Sequence, residues 1–341
     1  MSQKDVRVGV VGAGSFGTTL AILAADAGCD VTLWGHSRDV VESIQNKREN
    51  QVYLPGAPIP ENIRATSSLQ EATQGKQIIL AVTPSHVIRE IFGQAREFIA
   101  SDALVVCGSK GVEAQTLATV DQMLLETLPQ LRKEQVLVLS GPSFAKEVAK
   151  QIPTAVSLAG PNEEIARKIQ DVLMKPYFRI YTTPDVKGVA LGGSIKNVIA
   201  IAVGIADGMG LGHNTRAAVI TRGLRELTRL AVARGANPMT LAGLSGMGDL
   251  VLTCTGDLSR NRQLGLRLGK GEKLEDIQAG TRMVAEGVRT ARSVHQLAQK
   301  EGLDAPISAE VYRVLYEQKP VTDGLYDLMH RPPRSEHEFE T

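Results

Sequence analysis

Arg7-Val8-Gly9-Val10-Val11-Gly12-Ala13-Gly14-Ser15-Phe16-Gly17 is the stretch on which the fold turns. Arg7–Val11 reads as a short buried strand, and Thr18–Ala27 behind it has the spacing of an amphipathic helix. A Gly-x-Gly-x-x-Gly set between a strand and a helix is the fingerprint of a dinucleotide-binding turn. Gly12 permits the tight turn, Gly14 lets the backbone approach a pyrophosphate, and Gly17 allows close helix–strand packing. Amides at the helix N-terminus then face the phosphates. Glycine-rich turns are common, and a purely structural turn is the bland reading; the place after a first strand favours the dinucleotide.

Outward from that turn, Val31–Trp34, Ile78–Val82, Ala103–Cys107, Val136–Leu139 and Thr154–Leu158 are further short apolar runs that read as buried strands. Helical patterns such as His86–Ile99 and Leu117–Leu128 separate them. This alternation predicts an α/β fold, a Rossmann-like doubly wound parallel sheet with helices on both faces. The Pro-rich Leu54–Pro60 reads as a loop. After about Lys187 the strand signal fades. Gly192-Gly193 opens a long apolar helix, and further helices follow at Thr215–Arg234, Asn261–Leu268, Thr290–Glu301, Ser308–Glu317 and Val321–Met329. The expected division is a dinucleotide domain over 1–187, an all-α substrate domain over 188–331 and a loose polar tail over 332–341.

The 341 residues are 43% hydrophobic and 22% charged, with a formal net charge of +1. That composition supports a sizeable core, and near-neutrality gives no electrostatic footprint for nucleic acid or an anionic membrane. Cys29, Cys107 and Cys254 lack metal-site spacing, and a sparse odd set fits a reducing cytoplasm. No apolar leader precedes the first strand, and the longest apolar run, 198–206, is too short for a bilayer. A soluble, cytoplasmic protein is expected.

NAD sites usually carry an acidic residue after the second strand. Here that place reads Trp34-Gly35-His36-Ser37-Arg38, with no carboxylate before Asp39. His36 and Arg38 suit a ribose 2′-phosphate, so NADPH is expected over NADH; the plain alternative for Arg38 is a solvated helix start. Gly108-Ser109-Lys110-Gly111 and Gly141-Pro142-Ser143 follow strands, where ligands bind in open α/β sheets. Lys110 reads as an anion contact or as an exposed turn lysine.

A nicotinamide enzyme acting on an alcohol needs a base for the hydroxyl proton. Lys196, in Gly193-Ser194-Ile195-Lys196-Asn197, sits at the expected start of the apolar helix where the two domains meet. Burial there would bring its pKa down toward a working value. A lysine snorkelling to water fits the same spacing equally well. Ser259 is a candidate N-cap, and Arg260 and Asn261 beside it make a phosphate site or an ordinary capped helix. Asp249 positions Lys196 or a substrate hydroxyl, or caps its glycine-rich turn. Glu286 reads as a helix cap, and His213 and His295 show no metal spacing, so no metal is expected.

Together these segments resemble the bacterial-type NAD(P)-dependent glycerol-3-phosphate dehydrogenases, from Gly12 to about Met329. Lys196-Asn197 within Gly193–Asn214, the stretch Gly246–Asn261 and Gly-Pro-Ser-Phe-Ala at Gly141–Ala145 carry the likeness. The resemblance implies interconversion of sn-glycerol 3-phosphate and dihydroxyacetone phosphate with NAD(P)H, feeding glycerophospholipid synthesis. It implies Lys196 as proton acceptor, with Lys110, Gly141, Ser143, Asp249, Ser259, Arg260 and Asn261 as substrate contacts. Ser15, Phe16, His36, Lys110, Ala145, Arg260, Val284 and Glu286 are its implied cofactor contacts. Phe16 stands where the family often has Trp, and Ser194 where Ala or Thr is usual. The rival readings are a 6-phosphogluconate-type hydroxyacid dehydrogenase, which needs a carboxylate site, and a non-catalytic NADPH-sensing module, which needs no Lys196. The apolar face of the α domain suggests a homodimer.

Overall fold

A computed structural model describes residues 6–280, 285–333, 335 and 336; Val284 lies outside the described residues. Its strands are β1 (Arg7–Val11), β2 (Asp30–Trp34), β3 (Glu49–Asn50), β4 (Leu54–Pro58), β5 (Ile63–Thr66), β6 (Ile78–Ala81), β7 (Leu104–Cys107), β8 (Val136–Ser140), β9 (Thr154–Ala159) and β10 (Phe178–Thr183). Eight of them form one sheet in the order β10-β9-β8-β7-β6-β1-β2-β5. The six strands read from the sequence are all in it. The chain builds to one side of β1 and then crosses to the other, so the topological switch lies between β1 and β6. That is where open α/β sheets bind ligands, outside the carboxyl ends of the strands.

The expectation of an all-parallel sheet holds for β1, β2, β5, β6, β7 and β8 and needs correction beyond them. β9 pairs antiparallel with β8, and β10 runs parallel to β9. The connection from β8 to β9 contains only the five-residue helix Ala145–Ala149. At 1.5 Å per residue it spans about 7.5 Å, too little to carry the chain back along a strand for a parallel return. The Pro-rich loop is also corrected, because Leu54–Pro58 pairs with Glu49–Asn50 in a separate two-stranded ribbon. Such a ribbon has free edges that tolerate proline, and Glu49 braces it by accepting the Gly56 N–H at 2.7 Å.

The helical half is built around one 23-residue helix, Val186–Gly208. It begins before the glycine pair because Asp185 caps it, accepting the Gly188 N–H at 2.9 Å. Gly192 and Gly193 therefore do not open the helix. A Cβ on Gly192 would lie 2.7 Å from the Ser245 carbonyl oxygen, and one on Gly193 2.4 Å from Ser140 Oγ. The pair lets the helix press onto the end of β8 and onto the turn before Asp249. The helix is long and apolar enough to cross a membrane, yet 89% of its most apolar window is buried inside the protein. It is a core helix.

Its N-terminal residues Val189 and Ala190 pack with Ile79, Val105 and Val138 of the sheet. Ile195, Val198 and Ile201 pack instead with Leu227, Leu264 and Ala291 of the surrounding helices. The division read between 187 and 188 thus falls inside one continuous helix that belongs to both cores. Helix Arg260–Gly269 crosses this helix at backbone contact. A Cβ on Gly265 would meet the Ile201 carbonyl oxygen at 2.1 Å, and one on Gly204 the Arg262 carbonyl oxygen at 2.1 Å. Arg262 locks the crossing with an ion pair at 2.8 Å to Asp207, whose side chain is 6% exposed. The N-terminus of the second helix is thereby fixed beside Asn197.

Candidate active site

The site forms where the carboxyl ends of β7 and β8 meet the middle of helix Val186–Gly208. Lys196 lies there, in the helix interior and not at its start, and is 5% exposed. Helix Asp249–Thr255 faces it, and Asp249 and Thr253, four residues apart, share one helix face. The Lys196 ammonium donates to Asp249 Oδ1 and, at 2.6 Å, to Thr253 Oγ1. The other carboxylate oxygen of Asp249 accepts from Lys110 at 2.6 Å and from Ser140 Oγ at 3.4 Å. One carboxylate, 1% exposed, therefore joins two lysines from opposite halves of the protein.

Burial pushes the Lys196 ammonium down to about 8; nearby Lys110 adds to this and the Asp249 charge opposes it. Burial alone would raise the Asp249 carboxyl, but Lys110 and Lys196 hold it below the ordinary carboxylate value. Burial also pushes Glu286 up to about 7, against the charge of Arg260, the Ser85 amide and the two lysines. Glu286, read from spacing as a helix cap, thus feels the same cluster of positive charge as the reacting centre.

Lys110 is held by its loop. Ser194 Oγ accepts the Gly111 N–H at 2.8 Å and donates to the Ala190 carbonyl at 2.7 Å. Gly141 has φ +149, and a Cβ there would lie 2.8 Å from Val156 Cα, so glycine is required. Ser143 Oγ turns back to the Gly141 carbonyl at 3.0 Å. Ser259 caps helix Arg260–Gly269 as the sequence suggests, accepting the Arg262 N–H at 3.2 Å. The Asn261 side chain is committed within the protein. It donates to Asn197 Oδ1 at 3.0 Å and accepts the Gly287 N–H at 2.9 Å. Arg260 is exposed. Thr253, Ser140 and Asn197 belong to this cluster; Asn197 and Thr253 lie in the stretches that carry the likeness, whereas Ser140 at the end of its strand offered no signal.

The glycine-rich turn follows β1, whose carboxyl end lies beside that of β6. Gly12 has φ +124, and a Cβ on it would strike the Val82 carbonyl at 2.7 Å. A Cβ on Gly17 would strike the Gly12 carbonyl at 1.8 Å, whereas one on Gly14 would meet nothing within 4 Å. Gly14 thus opens onto space available to a ligand. Helix Ser15–Asp26 has neither a side-chain cap nor an acidic residue in its first turn, which suits an anion on its amides. Phe16 packs against Gly108, Ala145 begins its short helix, and His36 and Arg38 are both exposed past β2. These residues fit a dinucleotide carrying a pyrophosphate and a second anionic group.

The chain is similar to known proteins along nearly its whole length. Residues 7–166 match the family described as NAD-dependent glycerol-3-phosphate dehydrogenase N-terminus, and residues 185–326 the one described as its C-terminus. A glycerol-3-phosphate dehydrogenase [NAD(P)+] of Myxococcus xanthus is 52% identical, over 97% of this chain and 99% of that protein. One from Geobacter metallireducens is 51% identical, over 97% and 98%. The crystal structure of glycerol-3-phosphate dehydrogenase from Coxiella burnetii superposes with a TM-score of 0.92 at 39% identity. It covers 96% of this chain and all of that one.

Proposed function

Because the chain belongs to the NAD-dependent glycerol-3-phosphate dehydrogenase family, we propose that Lys196 is the acid–base group of its reaction. The protein is an oxidoreductase that interconverts sn-glycerol 3-phosphate and dihydroxyacetone phosphate with NAD(P)H, supplying glycerol 3-phosphate for phospholipid synthesis. The relatives favour this reading over a 6-phosphogluconate-type dehydrogenase or an NADPH sensor. The observation that carries the assignment of Lys196 is its burial together with its anchoring by Asp249 and Thr253.

Bound NAD(P)H supplies the hydride. In reduction Lys196 gives a proton to the carbonyl oxygen of the substrate, and in oxidation it takes the hydroxyl proton. Asp249 fixes Lys196, and through its other oxygen it holds Lys110, whose charge stabilises the developing alkoxide. Arg260, at the Ser259-capped helix end with the Asn261 backbone, binds the substrate phosphate. Gly141 and Ser143 complete the substrate wall. Gly12, Gly14, Ser15, Phe16, Gly17, Ala145, Val284 and Glu286 hold the cofactor, with Lys110 and Arg260 shared between the ligands. In this reading 1–187 and 188–331 serve as cofactor and substrate halves.

His36 and Arg38 take the 2′-phosphate, so NADPH is preferred over NADH. Arg38→Ala is then expected to weaken NADPH binding about tenfold, the effect of losing one charge-assisted contact, and NADH binding far less. Fluorescence titration of both cofactors checks this, and equal losses would reduce Arg38 to a structural role. We also assign the protein to the cytoplasm, which its three buried, unpaired cysteines suit. A homodimer through the helical half fits the exposed Met239, Met247, Val251 and Leu258; a monomer in sedimentation would refute it.

A further inference from the structure

We propose that Asn50 is a positioning residue for the dinucleotide turn, holding the Ala13 carbonyl so that Gly14–Gly17 keeps the shape that receives a pyrophosphate. The inference rests on the assignment of that turn to the cofactor. Asn50 is fully buried, in the first strand of the β3–β4 ribbon. Its amide donates to the Ala13 carbonyl at 2.9 Å and to Thr18 Oγ1 at 2.8 Å. Its Oδ1 accepts the Tyr53 N–H at 3.0 Å. One side chain therefore ties the ribbon to residues on both sides of the open position at Gly14.

The ribbon is itself braced. Arg48 donates to the carbonyls of Ile59, Pro60 and Ile63, and Glu49 accepts from Gly56. A second tether runs from Ser15 Oγ to the Tyr53 carbonyl at 2.6 Å. The turn has little slack of its own, since Gly12 and Gly17 already meet neighbouring backbone. What remains adjustable is the peptide plane at Ala13, immediately before Gly14. A carbonyl free to rotate there would present negative charge to an anion and turn the next amide away. The Asn50 amide removes that freedom by satisfying the carbonyl from the protein side.

Asn50→Asp tests this with almost unchanged shape. The carboxylate still accepts from Tyr53, cannot donate to Ala13, and adds repulsion beside the pyrophosphate site. Titration of the apo protein with NADPH, and separately NADH, is expected to show both dissociation constants rising about 10–100-fold, equivalent to two buried hydrogen bonds. Asn50→Ala should give the same direction with a smaller factor. At saturating cofactor, kcat and the KM for dihydroxyacetone phosphate should stay within about twofold of wild type. Unchanged cofactor affinity in the folded variants would overturn the proposal. So would a parallel loss of kcat and of substrate affinity, or failure of both variants to fold, since either result marks a general structural role. If wild type itself bound neither cofactor, the dinucleotide assignment would fail as well, a result distinct from a defect confined to the variants.

Discussion

Lys196→Ala lowers turnover by on the order of 10²–10⁴-fold if this lysine moves the proton, while cofactor affinity is nearly unchanged. The alanine variant also leaves Asp249 buried with one cation instead of two, so some loss of stability accompanies it. Lys196→Arg separates the two effects. A guanidinium keeps a positive partner for Asp249 but stays charged, so it cannot accept the proton. It should fold with wild-type stability and remain nearly inactive. The pH profile supplies an independent reading, because burial brings Lys196 to about 8. Oxidation of glycerol 3-phosphate needs the neutral amine, so its kcat/KM should rise with pH and level off above about 8. Reduction needs the ammonium, so its kcat/KM should fall above the same value. Near-normal turnover in a folded Lys196→Ala protein would move the role elsewhere, to Lys110 first.

Unphosphorylated dihydroxyacetone is expected to react with a kcat/KM lower by on the order of 10⁴-fold than its phosphate. The phosphate lies away from the reacting carbon, yet its binding energy is used to orient the carbonyl toward Lys196, so turnover falls as well as affinity. At saturating cofactor, Arg260→Ala should remove most of that discrimination by slowing the phosphorylated substrate far more than the unphosphorylated one. The close crossing of helices Val186–Gly208 and Arg260–Gly269 makes this coupling rigid, because Gly204 and Gly265 leave no room for slippage. Steady-state rates with both substrates, for wild type and Arg260→Ala, check it. Similar rates with and without the phosphate would remove Arg260 and its helix end from the site.

The sheet was legible where its strands are central, because Val, Ile and Leu runs buried on both faces leave a strong signal. Edge strand β5, Ile-Arg-Ala-Thr, exposes Arg64, and edge strand β10, Phe-Arg-Ile-Tyr-Thr-Thr, exposes Arg179 and Tyr181, so neither carries a continuous apolar run to mark it. The β8–β9 reversal has no composition signal; it follows from the short helix between them. Gly192-Gly193 looks like a break because glycine disfavours helix interiors, whereas its use here is a close approach to Ser140 and Ser245. Lys110, Lys196 and Asp249 were each recognisable as chemistry-bearing residues, but their convergence on one carboxylate depends on contacts 53 and 139 residues apart. Asn50 carries no chemical signature at all, and only the hydrogen bonds to Ala13 and Thr18 reveal it.

The most direct measurement is the loss of reduced-nicotinamide absorbance when dihydroxyacetone phosphate is added to the wild-type protein, with NADPH and NADH in parallel. Rapid oxidation, faster with NADPH at limiting cofactor, is the predicted result. NADPH that binds in a titration but is not oxidised by dihydroxyacetone phosphate would contradict the account.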